Sequence, residues 1–205
     1  DARNRIWISV SARKLGDAIP LREKSGFIVL VDDGEARVVG EHLQYTNECR
    51  ISDDGRHLYV NETFGQRLTR FAIAENGDLR SRETVADFGG ADFPDGLAID
   101  QEGAVWVVCV VSNRIYRVAR DGAAELVVDD SIPDVVDRAA DAFERGTLDR
   151  PIIRAARGKT LRNATSIAFG GADLKTAYLG SLEATSIATF RSPVAGLPPP
   201  HWNWG

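Results

Sequence analysis

Three oxygen-bearing side chains, Asn47, Asp95 and Thr165, lead three stretches of the chain that read alike. Asn47 opens the run to Val60, Asp95 the run to Val108, and Thr165 the run to Leu179. Each run continues as a short strand, a turn, and a second strand with an aromatic residue. When such repeats pack around an axis, equivalent positions converge on it. A ring of amide, carboxylate and hydroxyl oxygens suits a hard divalent cation such as calcium or magnesium. Asn, Asp and Thr also cap turns, and spacing alone leaves the two readings level.

Other chemistries find no anchor. There is no Gly-x-Ser-x-Gly elbow, no His-Glu-x-x-His, no phosphate-binding glycine loop and no dinucleotide fingerprint. His42, His57 and His201 are scattered, which argues against a histidine-rich zinc site.

The elements that must position the lead residues can be read from turns and periodicity. Asp53-Asp54-Gly55 and Gln101-Glu102-Gly103 put glycine where a tight hairpin needs positive φ. Arg67–Phe71 and Arg114–Val118 alternate polar and apolar residues, as a third strand with one wet face does. Asn76-Gly77 and Asp121-Gly122 then turn into a fourth strand. Trp7, Tyr59, Trp106 and Tyr178 recur at roughly the 40–50-residue repeat of a four-stranded propeller blade, the last interval being longer by roughly 25 residues.

That surplus lies between Asp129 and Asn163. Pro133, the helical spacing of Val135, Val136, Ala139, Ala140 and Phe143, and Gly146 as a stop predict a helix there. It is expected on the outside of the propeller, or as a lid near its mouth. Lys14–Ser25, with Pro20, reads as a polar loop. The strand-like Arg5–Val10 follows almost at once on Asp1, so the chain is expected to open part-way through a blade. The expected fold is all-β: about four β-propeller blades in a single partial domain over residues 1–205, with a short helical insertion at about 129–163. Open strand edges in such a partial ring invite self-association.

The formal net charge is −5 with no basic stripe, which excludes nucleic acid as a partner class. No apolar run approaches the roughly 20 residues of a membrane span. Two cysteines, Cys49 and Cys109, make no disulfide framework and read as small buried residues, which fits a cytoplasmic setting.

At the lead residues the sequence closely resembles the SMP-30/gluconolactonase/luciferin-regenerating family of six-bladed propellers. Phe93-Pro94-Asp95-Gly96-Leu97-Ala98-Ile99-Asp100 is similar to its Pro-Asp-Gly motif, and Thr165-Ser166-Ile167-Ala168-Phe169-Gly170-Gly171 to its Thr-Ser-x-x-Phe-Gly-Gly motif. Tyr45-Thr46-Asn47 resembles its Asn segment, and Ser192–Trp202 the tail of bacterial members. The resemblance implies a metal-dependent lactonase that opens a sugar lactone or related small cyclic ester.

It implies one divalent cation on the axis, calcium first, with zinc, magnesium or manganese as alternatives. Asn47 and Asp95 would be its ligands, with Asp95 also the catalytic base, and the remaining family ligand would fall upstream of Asp1. Glu48, Thr165, Arg50 and Glu62 are candidates for the surrounding pocket, with solvent exposure the commoner fate of a residue placed like Glu62. Glu48 departs from the glycine that many relatives carry there. Because propellers host unrelated roles, the competing expectation is a non-catalytic propeller that binds a small molecule or a protein.

Overall fold

The computed structural model describes residues 1–11 and 21–199. Most of the expected Lys14–Ser25 loop, and the tail with His201 and Trp202, lie outside the described residues. The described strands form four antiparallel sheets in chain order, each strand beside its chain neighbour. The first holds β1 (Ile6–Val10), β2 (Gly26–Asp32) and β3 (Glu35–Leu43). The second holds β4 (Thr46–Ile51), β5 (His57–Glu62), β6 (Arg67–Ile73) and β7 (Leu79–Asp87). The third holds β8 (Asp92–Ile99), β9 (Val105–Val111), β10 (Arg114–Val118) and β11 (Ala124–Asp129). After two helices, the fourth holds β12 (Ala164–Gly170), β13 (Thr176–Ser181) and β14 (Ala188–Arg191).

The hairpins form where the turn residues called for them. Gly55 and Gly103 have φ of 69° and 78°, the left-handed region that costs glycine least. The third sheet fastens its first hairpin with one carboxylate. Asp100 Oδ1 accepts from the amides of Glu102 and Ala104, both at 3.0 Å, and its Oδ2 accepts from Trp106 Nε1 at 2.9 Å and Arg117 Nε at 2.8 Å. The first sheet repeats the device at the same offsets. Asp1 accepts from the amides of Arg3 and Arg5 and from Trp7 Nε1 at 2.9 Å. By this equivalence β1 takes the place in its sheet that β9 takes in the third.

The aromatic anchors face the following sheet. Trp7 packs on the cluster of Leu58 and Val60, and Tyr59 on that of Leu97, Ile99 and Val105. Trp106 meets Phe169 and Phe190 at ring-centroid distances of 5.5 and 5.8 Å. Burying such rings supplies much of the adhesion between sheets, at about 25 cal/mol per Å² of apolar surface removed from water. Tyr178 differs: it is 40% exposed. It lies on the face where its counterparts receive the next sheet, and the fourth sheet is the last one described. Cys49 and Cys109 are free thiols, Cys109 fully buried.

The insertion contains α1 (Pro133–Glu144), with Pro133 in its first turn, and Gly146 at φ 70° follows its end. It also contains α2 (Arg150–Ala155), which the apolar periodicity did not reveal. The signal for α2 was its cap: Asp149 Oδ1 accepts from the Ile152 amide at 2.9 Å, and Pro151 sits in the first turn. α1 buries Val136, Ala139, Ala142 and Phe143 against Phe64, Phe93, Val110 and Val111. Phe143 meets Phe93 edge-on at 5.0 Å. Phe93 is the second residue of β8 and Val111 the last of β9, so the helix covers the end of the sheets where the chain enters β8. Its buried cluster includes no side chain of the outer strands β7 and β11. No described helix is long and apolar enough to cross a membrane.

Candidate functional site

β4, β8 and β12 are each the first strand of their sheet, and β8 packs against both of the others. The contact with β12 is close because residue 96 is glycine. A Cβ there would lie 2.4 Å from the Thr165 carbonyl oxygen and 2.6 Å from Ser166 Cα. Gly96 thus lets two backbones meet where the site lies.

Each of these strands carries an irregularity at its lead residue. In β4 the register passes from Thr46 opposite Glu62 to Cys49 opposite Val60, so Asn47 and Glu48 sit in a bulge. In β8 it passes from Pro94 opposite Cys109 to Leu97 opposite Val107, with Asp95 and Gly96 between. In β12 it passes from Ala164 opposite Ser181 to Ser166 opposite Gly180, with Thr165 between. A bulge re-aims a side chain that the pleat would otherwise send elsewhere. The three residues with matching sequence positions therefore share a backbone device as well.

The structure brings Asn47 and Asp95 together. The Asn47 amide lies near enough to the Asp95 carboxylate to act on its ionisation. Burial raises the Asp95 pKa to about 7, the Asn47 amide opposes the rise, and the Glu48 carboxylate adds to it. The groups that act on this carboxylate are thus an amide and a second carboxylate rather than a cation. Asn47 Nδ2 also lies 3.0 Å from Thr63 Oγ1, and Thr63 Oγ1 lies 2.8 Å from the Pro94 carbonyl oxygen. Asn61 Nδ2 donates to the carbonyls of Asp95 and Gly96 at 3.0 and 3.2 Å. Thr63 and Asn61 escaped the sequence reading. Their only sequence signal was polarity at the end of a buried strand, at Asn61, and just beyond it.

Glu48 turns to the backbone of β8. Its Oε2 accepts from the Leu97 amide at 2.9 Å, and its other oxygen pairs with the half-exposed Arg50. Glu48 therefore braces the far side of the Asp95 bulge, with Arg50 behind it. Thr165 is partly buried, and its carbonyl faces Gly96.

Glu62 stands apart from these residues. Its side chain, expected at the surface, is 0% exposed. It accepts from the Gln44 amide at 2.6 Å, Arg67 at 3.0 Å, Thr69 Oγ1 at 2.5 Å and Arg82 at 2.8 Å. Burial pushes its pKa up, and the hydrogen bonds from Arg67, Gln44 and Thr69 more than reverse this, leaving it lowered. Alternation along β5 explains the separation. Asn61 turns toward β8, and Glu62, one residue on, turns to the opposite face.

Among the described residues no three His, Cys, Asp or Glu side chains gather into a metal-binding group. Asn47 and Asp95 are two oxygen donors of the type a hard cation takes. A partly buried Asp95 carboxylate on which no cationic side chain acts fits a positive ion beside it.

Comparison with known proteins adds a lineage to this geometry. Residues 1–133 match the family model described as the SMP-30/Gluconolactonase/LRE-like region. The chain belongs to that family. A 6-deoxy-6-sulfogluconolactonase of Pseudomonas putida is 26% identical over 164 residues, covering 78% of this chain and 46% of the relative. The chain spans about half the length of the curated relatives it matches. Among solved structures of the family, a calcium-binding regucalcin from Agrobacterium tumefaciens superposes with a TM-score of 0.64 at 18% identity. That superposition covers 95% of this chain and 59% of the regucalcin. A gluconolactonase from Xanthomonas campestris superposes with a TM-score of 0.59 at 19% identity, covering 86% of this chain and 50% of its own. At such identities the superpositions speak for the fold.

Proposed function

We propose that the four sheets are blades of a six-bladed β-propeller with β4, β8 and β12 innermost. The whole protein would hydrolyse a sugar lactone or related small cyclic ester at a divalent cation held by Asn47 and Asp95. The observation that carries this reading is the meeting of the Asn47 amide and the partly buried Asp95 carboxylate from matching bulges on adjacent inner strands. The family match and the lactonases among its relatives support the substrate class. The regucalcin described as calcium-binding supports calcium ahead of zinc, magnesium or manganese.

A cation bound there supplies a Lewis acid for the lactone carbonyl and acidifies a bound water. The protein's own groups do the rest. Asn47 contributes a neutral oxygen, which leaves the positive charge of the site undiminished. Asp95 contributes the negative charge that holds the ion, and its carboxylate takes the proton of the attacking water. Water adds to the carbonyl carbon, the ring C–O bond breaks, and the proton passes to the departing alkoxide to give the hydroxy acid. α1 and its aromatic contacts close the end of the sheets beside Asp95 and keep bulk water from that side.

The test is ring opening of gluconolactone and a panel of related lactones by the full-length protein, with and without a chelator. The reading expects turnover that chelation lowers by about tenfold or more and that added calcium or manganese restores. Turnover no faster than spontaneous opening, with or without cation, would overturn it.

A further inference from the structure

We infer that Thr63 is a positioning residue for this site: it fixes which end of the Asn47 amide faces the cation, while Asn61 beside it holds the backbone that carries Asp95. The inference deepens the proposed cation site and rests on that reading.

One proton decides the orientation of the Asn47 amide. The Thr63 hydroxyl has a single hydrogen and two lone pairs. It lies 2.8 Å from the Pro94 carbonyl oxygen, which can only accept. The proton is therefore spent on Pro94, and toward Asn47 the hydroxyl can only accept. The group 3.0 Å away must then be the Asn47 NH2. That turns Asn47 Oδ1 away from Thr63, free for another partner, and the amide oxygen is the end a hard cation takes. Thr63 is 4% exposed, so little water competes for either bond.

Asn61 does the matching work on the backbone. Asp95 and Gly96 have no register partner on β9, and a buried carbonyl left unpaired is costly. The Asn61 amide, fully buried, donates to both. The two residues lie on the same face of the chain leaving β5, so one strand sets both the side chain of Asn47 and the bulge of Asp95. Groups that orient metal ligands in this way typically matter for affinity nearly as much as the ligands.

The experiment is calorimetric titration of manganese into the wild-type full chain and into Thr63→Val, Thr63→Ser and Thr63→Ala, with a cation-free thermal melt of each. Valine keeps the shape and removes the hydroxyl; serine keeps the hydroxyl; alanine removes it without placing a methyl against Pro94 and serves if the valine variant does not fold. The expected result is manganese affinity lowered by about tenfold or more in the valine and alanine variants, and close to wild type in serine. A cooperatively melting valine or alanine variant with wild-type affinity would overturn this inference alone. A wild-type protein that binds neither manganese nor calcium would overturn the cation site and this inference with it.

Discussion

Trp106 Nε1 donates to Asp100 Oδ2 at 2.9 Å, and neither side chain has surface open to solvent. Asp100 also holds the Glu102 and Ala104 amides and the Arg117 guanidinium. Removing the carboxylate strands several donors at once, and each buried unsatisfied donor costs about 1–3 kcal/mol. Asp100→Ala is expected to lose about 3 kcal/mol or more, and Trp106→Phe about 1–3 kcal/mol. Urea unfolding midpoints at unchanged slope measure both. A loss in Asp100→Ala below about 1 kcal/mol would contradict the fastening role.

Glu62 makes stability depend on acid. Its folded pKa lies below its ordinary value of 4.5. The folded state therefore binds that proton less readily than the unfolded chain, so the contribution is fully present above about pH 4.5. It is lost as pH falls through the folded value. Glu62→Gln is expected to melt lower than wild type near neutrality, with the gap closing as the pH drops below 4.5. Melting temperatures across pH 3–7 for both proteins, a range set about the ordinary carboxylate pKa, would show it. A gap that is constant with pH would contradict it.

Gly96 is where β8 and β12 come closest. Gly96→Ala sets a methyl 2.4 Å from the Thr165 carbonyl oxygen, which is backbone and cannot swing aside. Overpacking of this sort costs about 1–3 kcal/mol. Because the shift falls in the Asp95 bulge, manganese affinity should fall together with the melting temperature. An alanine variant with wild-type values of both would show that the strands are not in contact there.

Much of the fold was legible because its signals are local. Gly55, Gly103, Pro133 and Gly146 act on their own neighbours, and strand alternation needs only a short window. The lead residues Asn47, Asp95 and Thr165 were legible through repetition, and the structure adds that each sits in a bulge. The bulges themselves were hidden, since an extra residue in one strand shows only against its partner. Thr63 and Asn61 were hidden for a related reason. They act on Pro94, Asp95 and Gly96, some 31 to 35 residues away. Glu62 looked like a surface charge because the groups that bury it come from around β3, β6 and β7.

In the proposed site Asp95 both holds the cation and takes part in opening the lactone. This is tested most directly by initial rates of lactone ring opening for wild type and Asp95→Asn at saturating calcium or manganese. Each protein is first shown to be folded by a cooperative melt. Asp95→Asn is expected to fold and to lose activity by about a hundredfold or more. A folded Asp95→Asn that opens the lactone at the wild-type rate would contradict it.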